Sequence, residues 1–181
     1  FTARFPRFTD DAALVYVAND ARSTTGLYAL SLDGARSRLG RRNSVDVSTP
    51  VPGLRSVQGE LDFADPYSLH SDLYRGNGLG RRRLTRAARL SSPDAHAASG
   101  LVVAVRTEPG TTSLVLVDPN DRWVTRDLVR GSLDRTWAEP RLSRSGERVA
   151  AVRWDQGGRS SVVTMDLSGR AQQRFAPRGR G

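Results

Sequence analysis

Residues 138–152 read A-E-P-R-L-S-R-S-G-E-R-V-A-A-V: a proline, a polar turn and a short apolar run. Downstream come S-V-V-T-M-D-L-S-G from Ser161 and Q-Q-R-F at 172–175. The Val- and Ala-rich runs suit pleated strands, and Ser145-Gly146 and Ser168-Gly169 suit the turns between them. The same succession recurs. Near the start of the chain R-F-P-R-F-T-D-D-A-A-L-V-Y-V runs from Arg4, G-L-Y-A-L-S-L-D-G from Gly26 and R-S-R-L at 36–39. A third copy begins S-S-P-D-A-H-A-A-S-G-L-V-V-A-V at Ser91 and continues with S-L-V-L-V-D-P-N-D from Ser113 and V-T-R-D-L at 124–128. The most divergent copy has Thr49-Pro50, E-L-D-F at 60–63, S-D-L-Y at 71–74 and R-R-R-L-T at 81–85. Pro6, Pro50, Pro93 and Pro140 mark the period, with gaps of 44, 43 and 47 residues.

Each unit therefore reads as a proline and polar turn, an apolar strand, a polar loop, a second apolar strand, a turn and a short basic strand. Apolar residues at helical spacing are absent. A repeat of roughly 40–50 residues made of short antiparallel strands has the size of one propeller blade. The expected fold is all-β: a β-propeller with about four four-stranded antiparallel blades, at 4–44, 45–88, 89–134 and 135–177, followed by a basic tail at 178–181. Four blades suggest part of a larger propeller. The opening at Phe1, without Met, suggests a processed form or an excerpt of a longer protein.

The stretch P-R-L-S-R-S-G-E-R-V-A-A-V, followed by V-V-T-M-D-L-S-G, resembles the Pro-x-φ-Ser-Pro-Asp-Gly repeat of TolB-like, WD40-like β-propellers. The repeat is also similar to that of propeller domains in prolyl-oligopeptidase-type proteins. The resemblance spans about Arg4 to Ala176, with departures at Thr9-Asp10-Asp11-Ala12, at Ser143-Arg144-Ser145-Gly146 and at an Ala-rich insertion over 95–99. It implies a periplasmic or extracellular setting and a non-catalytic scaffold that binds protein, possible as an accessory subunit of a larger membrane-associated assembly. The alternative it implies is the propeller of a peptidase or hydrolase whose catalytic domain lies outside this chain.

Composition narrows the chemistry. All 28 basic residues are arginines, against 19 acids, for a net charge of +9, and the chain has no lysine, cysteine or isoleucine. That charge permits an acidic protein or an anionic membrane surface as partner. The absence of cysteine excludes disulfides and thiolate metal sites. Apolar runs such as 101–105 and 114–117 are too short to span a bilayer.

In register, the arginines fall on the last strand of each unit: Arg36 and Arg38, Arg81 to Arg83, Arg122 and Arg126, Arg170 and Arg174. Charge on an edge strand blocks pairing with another chain, and this is the first expectation for them. Contact with an acidic protein or anionic lipid comes second, at Arg81, Arg82, Arg83, Arg122, Trp123 and Arg126. Nucleic acid is disfavoured, because no aromatic platform interleaves with Arg81 to Arg83. Trp137 and Trp154 are expected to pack between blades.

Catalytic and metal patterns are missing from the sequence. His70 and His96 are expected on the surface, without converging donors for a metal. Asp118-Pro119-Asn120-Asp121 lacks the acid spacing of a calcium loop and is expected to be a hairpin turn. No G-x-S-x-G elbow occurs. Gly76 to Gly80 and Gly157-Gly158 read as loops rather than phosphate cradles, since no helix follows them. No cofactor, catalytic residue or small-molecule substrate is expected.

Overall fold

The computed structural model describes residues 3–10, 13–19, 25–40, 44–47, 55–58, 71–75, 82–170 and 172–176. Among them the chain forms sixteen strands and one short 3-10 turn. Sheet 1 runs β1 (Ala3–Asp10), β2 (Ala13–Asn19), β3 (Thr25–Ser31), β4 (Arg36–Gly40), and sheet 2 runs β5 (Ser44–Val47), β6 (Arg55–Gln58), β7 (Ser71–Arg75), β8 (Arg82–Arg83). Sheet 3 holds β9 (Leu90–Ala95), β10 (Val102–Glu108), β11 (Thr111–Asp118), β12 (Val124–Val129). Sheet 4 holds β13 (Arg135–Leu142), β14 (Arg148–Asp155), β15 (Arg159–Asp166), β16 (Gln173–Phe175). Strand order within each sheet follows chain order. The chain divides into two compact units, Phe1–Pro93 and Asp94–Gly181.

In the first unit, strand alternation sends Val15, Val17 and Leu27 to one face of sheet 1, where Ala29 and Leu39 pack against them. The other face carries the register pair Tyr16 and Tyr28, stacked at 5.7 Å, with the Arg36 guanidinium 4.3 Å from the Tyr28 ring centre. Leu73 and Tyr74 of β7 are buried. The strand expected at 60–63 lies outside the described residues; β7 pairs instead with Arg55–Gln58.

In the second unit, two sheets share one apolar core. Val103, Val105, Leu114, Leu116 and Leu128 come from sheet 3; Trp137, Val149, Ala151, Val163 and Met165 come from sheet 4. Trp137 bridges the sheets as expected. Its N–H donates to the Thr112 hydroxyl oxygen (2.9 Å), and that hydroxyl donates to its carbonyl (2.6 Å). The turn after β15 closes the same contact: Gly169 has φ +77, and a Cβ there would stand 2.2 Å from the Leu128 carbonyl oxygen. Only glycine fits such an approach.

The prolines occupy a different place from the one expected. Pro6, Pro93 and Pro140 lie inside the first strand of their sheets, not in a turn ahead of it. Register shifts bracket Pro6, between Arg4 and Arg7, and Pro140, between Ala138 and Arg141. A bulge on an edge strand accommodates a residue that cannot donate to the ladder. The residues before Pro93 and Pro140, Ser92 and Glu139, both take φ +49. The bulge is thus repeated between sheets.

Trp154, also expected to pack between sheets, does not join the core shared by sheets 3 and 4: its strand partners Thr136 and Ser160 place it on the opposite face of sheet 4, where, like Val162 and Phe175, it is exposed in this chain. One further expectation is corrected. His96 is half-buried rather than a free surface residue: Nδ1 pairs with the Ser99 hydroxyl (2.9 Å) and Nε2 lies 3.2 Å from the Arg144 carbonyl. The ring rests against Gly146, where any Cβ would stand 2.8 Å from Nδ1. His70 lies outside the described residues.

Candidate functional site

The last strand of every sheet, β4, β8, β12 and β16, forms one of its edges. Arg36, Arg38, Arg82, Arg83, Arg126 and Arg174 lie on these strands, and Arg122 and Arg170 lie just ahead of them; all are exposed. Arg81 and the Gly76 to Gly80 loop lie outside the described residues. The edge placement read from the repeat is therefore present, although several of these guanidiniums have internal partners.

Arg83 is the clearest case. Its Nη2 donates to Asp72 Oδ2 (2.5 Å) and its Nε to the Thr85 carbonyl (2.9 Å). Asp72 is 1% exposed and also accepts from the Thr85 hydroxyl (2.8 Å) and from the N–H groups of Ala87 (3.0 Å) and Ala88 (3.1 Å). A buried carboxylate is tolerable only with such a full set of donors. Of the run Arg81 to Arg83, Arg83 is thereby committed to folding.

The same positions recur in the second unit. S-L-V-L-V-D from Ser113 superposes in sequence on S-V-V-T-M-D from Ser161, and A-V-R-T-E at 104–108 on A-V-R-W-D at 151–155. In sheet 3 Arg106 donates to Glu108 Oε1 (2.7 Å) and ion-pairs with Asp127 Oδ1 (2.7 Å), which also holds Arg130 Nε (2.7 Å, Oδ2). The Ser113 hydroxyl donates to Glu108 and accepts from Gly131 N–H. The Ser113 hydroxyl, then Arg106, hold the Glu108 carboxyl below its usual range; Arg130, then Arg106, do so for Asp127. In sheet 4 Asp155 receives Arg153 Nε (2.8 Å) and Arg174 Nη2 (2.9 Å), while Arg174 Nε donates to the Ser161 hydroxyl oxygen (3.0 Å). These clamps escaped the sequence reading, which attended to arginine runs. The signal was the repeated Arg-x-acid ending of the second strand, paired with the serine opening the third.

Arg122, Trp123 and Arg126 come together at one end of sheet 3. Asp118-Pro119-Asn120-Asp121 is the expected hairpin turn: the Asp118 carboxylate accepts from Asn120 N–H (2.8 Å), and Pro119–Asp121 form the 3-10 turn between β11 and β12. Arg122 and Trp123 lie in that connection rather than in the strand, with φ +48 and +63. Trp123 is half-buried. Arg126 Nη2 donates to the Leu167 carbonyl (3.2 Å). Two successive non-glycine residues in the left-handed region carry strain, and strain of this kind clusters at functional sites.

In sheet 1 a cavity of about 340 Å³ is lined by Ala3, Arg4, Pro6, Leu14, Tyr16 and Leu30. Its walls are mainly apolar and offer no acid–base pair. Among the described residues no cluster of three or more His, Cys, Asp or Glu side chains could hold a metal, and no helix is long and apolar enough to cross a membrane.

No protein-family model matches the sequence, and no curated protein matches it. Solved structures do resemble the fold. TolB from Acinetobacter baumannii is similar over 96% of this chain and 43% of its own, at 17% identity and a TM-score of 0.74. The β-propeller domain of the Trilobed protease from Pyrococcus furiosus is similar over 93% of this chain and 50% of its own, at 13% identity and a TM-score of 0.61. A puromycin-hydrolysing peptidase of Mycobacterium tuberculosis is similar over 97% of this chain and 29% of its own, at 16% identity and a TM-score of 0.65. The chain thus spans half or less of each of these structures. Four consecutive four-stranded antiparallel sheets and these likenesses together make the fold that of a TolB-like β-propeller, of which this chain supplies a part.

Proposed function

We propose that the chain is a non-catalytic propeller module that binds an acidic protein partner, in a periplasmic or extracellular setting and as an accessory part of a larger membrane-associated assembly. The observation carrying this reading is the hairpin end at Arg122, Trp123 and Arg126, where two exposed arginines lie one and three residues from a half-buried tryptophan and Arg122 and Trp123 share a strained connection. Arg and Trp are the residue types that concentrate binding energy in protein interfaces. The divisions at 4–44, 45–88, 89–134 and 135–177, with the tail at 178–181, belong to the same proposal: each blade offers its loops and basic edge to the partner. Arg81, Arg82 and the exposed part of Arg83 supply a secondary contact, to protein or to anionic lipid.

The test is crosslinking and affinity capture with the tagged full-length protein in its native host, followed by binding measurements on the captured partner. Arg122→Glu with Trp123→Ala should weaken binding by about a hundredfold, the effect of losing a hot-spot pair worth roughly 3 kcal/mol. Unchanged affinity in a folded variant would remove this hairpin from the interface.

The likeness to peptidase propellers favours a second reading, in which these blades belong to a hydrolase and guide its substrate. Sequencing the intact polypeptide separates the two, because a G-x-S-x-G segment outside this stretch would bring the catalytic domain with it.

A further inference from the structure

Sheets 3 and 4 use one clamp design with different charge balance, neutral in sheet 3 and cationic in sheet 4. In sheet 3 two guanidiniums, Arg106 and Arg130, meet two carboxylates, Glu108 and Asp127. In sheet 4 the position of Asp127 is taken by Arg174: Asp127 pairs in register with Val115, and Arg174 with the corresponding Val163. Among the described residues Asp155 is left as the only carboxylate facing Arg153 (2.8 Å), Arg174 (2.9 Å) and Arg135 (3.8 Å). Three guanidiniums around one carboxylate leave two positive charges uncompensated. Arg159, in register with Asp155, adds another exposed guanidinium beside the cluster.

These arginines have donors to spare. Arg135 and Arg174 are 45% and 44% exposed, whereas Arg153 and Asp155 are mostly covered. Among the described residues the Arg135 guanidinium makes no hydrogen bond and only the long 3.8 Å ion pair. Each guanidinium presents five N–H groups in a planar fork suited to an oxyanion, and Asp155 uses few of them. The Arg135 backbone is held in place, its carbonyl accepting from the Thr111 hydroxyl (3.0 Å) and from Ser132 N–H (2.8 Å). The Asp155 carboxyl is held below its usual range by the Arg153 hydrogen bond first, with the charges of Arg174 and Arg135 adding to it.

We propose that Arg135, Arg153 and Arg174 form a binding site for a doubly charged oxyanion of phosphate type, seated on the exposed forks of Arg135 and Arg174. A dianion matches the surplus of two charges, and Asp155 competes with it for the guanidinium donors. The site is independent of the protein-binding reading above.

Calorimetric titration of the whole protein with inorganic phosphate, at constant ionic strength against chloride, tests it. One saturable site per chain is expected. Arg135→Gln and Arg174→Gln should each weaken it about tenfold or more, since a hydrogen bond to a charged group is at stake, while Arg144→Gln, at an exposed arginine in the turn before β14, should leave it unchanged. Asp155→Asn should tighten it, because the competing carboxylate charge is gone; a merely structural Asp155 would not produce that gain. Absence of saturable binding, equal loss in Arg144→Gln and Arg135→Gln, or equal binding of succinate would each overturn the proposal. Arg135→Gln disturbs only the longest ion pair, so its outcome stands even where Asp155→Asn lowers the melting temperature.

Discussion

Asp72 illustrates how much one side chain can organise. Its carboxylate meets Arg83, Thr85 and two backbone N–H groups, and so fixes the segment after β8, where Ala87 takes φ +49. Removing it orphans all of these donors at once. Asp72→Ala should destabilise the protein by about 2–4 kcal/mol, because the buried Thr85 hydroxyl and two backbone N–H groups lose their acceptor while the partly exposed Arg83 turns to water, and Asp72→Asn by less, because one acceptor oxygen survives. Urea denaturation gives both values; equal, small losses would show that the hub is not holding the segment. Trp137 presents the opposite situation, a buried ring whose Nε1 has no hydrogen-bond partner among the described residues. Trp137→Phe should therefore cost only about 1–2 kcal/mol, because the small cavity left by the missing ring is offset by the removal of an orphaned donor, whereas Trp137→Ala should cost about 3–5 kcal/mol through the larger cavity it leaves. A large loss in the phenylalanine variant would mean that the indole N–H is engaged after all.

At the scale of the element, the strand-and-turn grammar was readable because it is local. Short Val- and Leu-rich runs suit pleated strands, and Ser-Gly pairs fall where the chain reverses. The interior position of Pro140 was hidden, because the bulge before it is made by Glu139, a residue with no intrinsic signal for φ > 0. The face Trp154 takes was hidden for a related reason: hydrophobicity alone does not say which side of a strand a residue occupies, and a shift of one position exchanges one face for the other. The clamps were legible only across strands, once Arg106-Thr107-Glu108 was set beside Arg153-Trp154-Asp155. The sheet 3 clamp makes a pH prediction. Glu108 and Asp127 have folded pKa values below their ordinary ones, so the stability they contribute is full above about pH 4 and is lost as pH falls through the folded values. Denaturant midpoints compared at pH 7 and at acid pH should fall less steeply for the Glu108→Gln, Asp127→Asn variant than for the native chain. Parallel falls would show that the clamp contributes nothing to acid lability.

For the whole molecule the question is what a net charge of +9, carried entirely by arginine, does for a chain built of four sheets with free edges. The short last strands leave part of their neighbours' backbone open: β16 pairs only with Val162, Val163 and Thr164 of the eight-residue β15. Open backbone of this kind templates pairing with another chain, and long cationic side chains oppose it by bringing like charges together. Not every arginine can serve that purpose, since Arg83 and Arg174 are engaged in clamps. Arg36, Arg38, Arg82 and Arg126 are exposed edge residues, although Arg36 and Arg38 also lie over Tyr28 and Arg126 donates to a carbonyl. Replacing these four by threonine keeps a strand-forming residue at each position while lowering the net charge to +5. Sedimentation velocity should then show self-association at concentrations where the native chain stays a single species, and added salt should move the native chain in the same direction by screening its charge. If the variant sediments as the native chain does, and salt changes neither, edge protection is not what these arginines are for, and partner binding becomes the stronger account of the cationic edges.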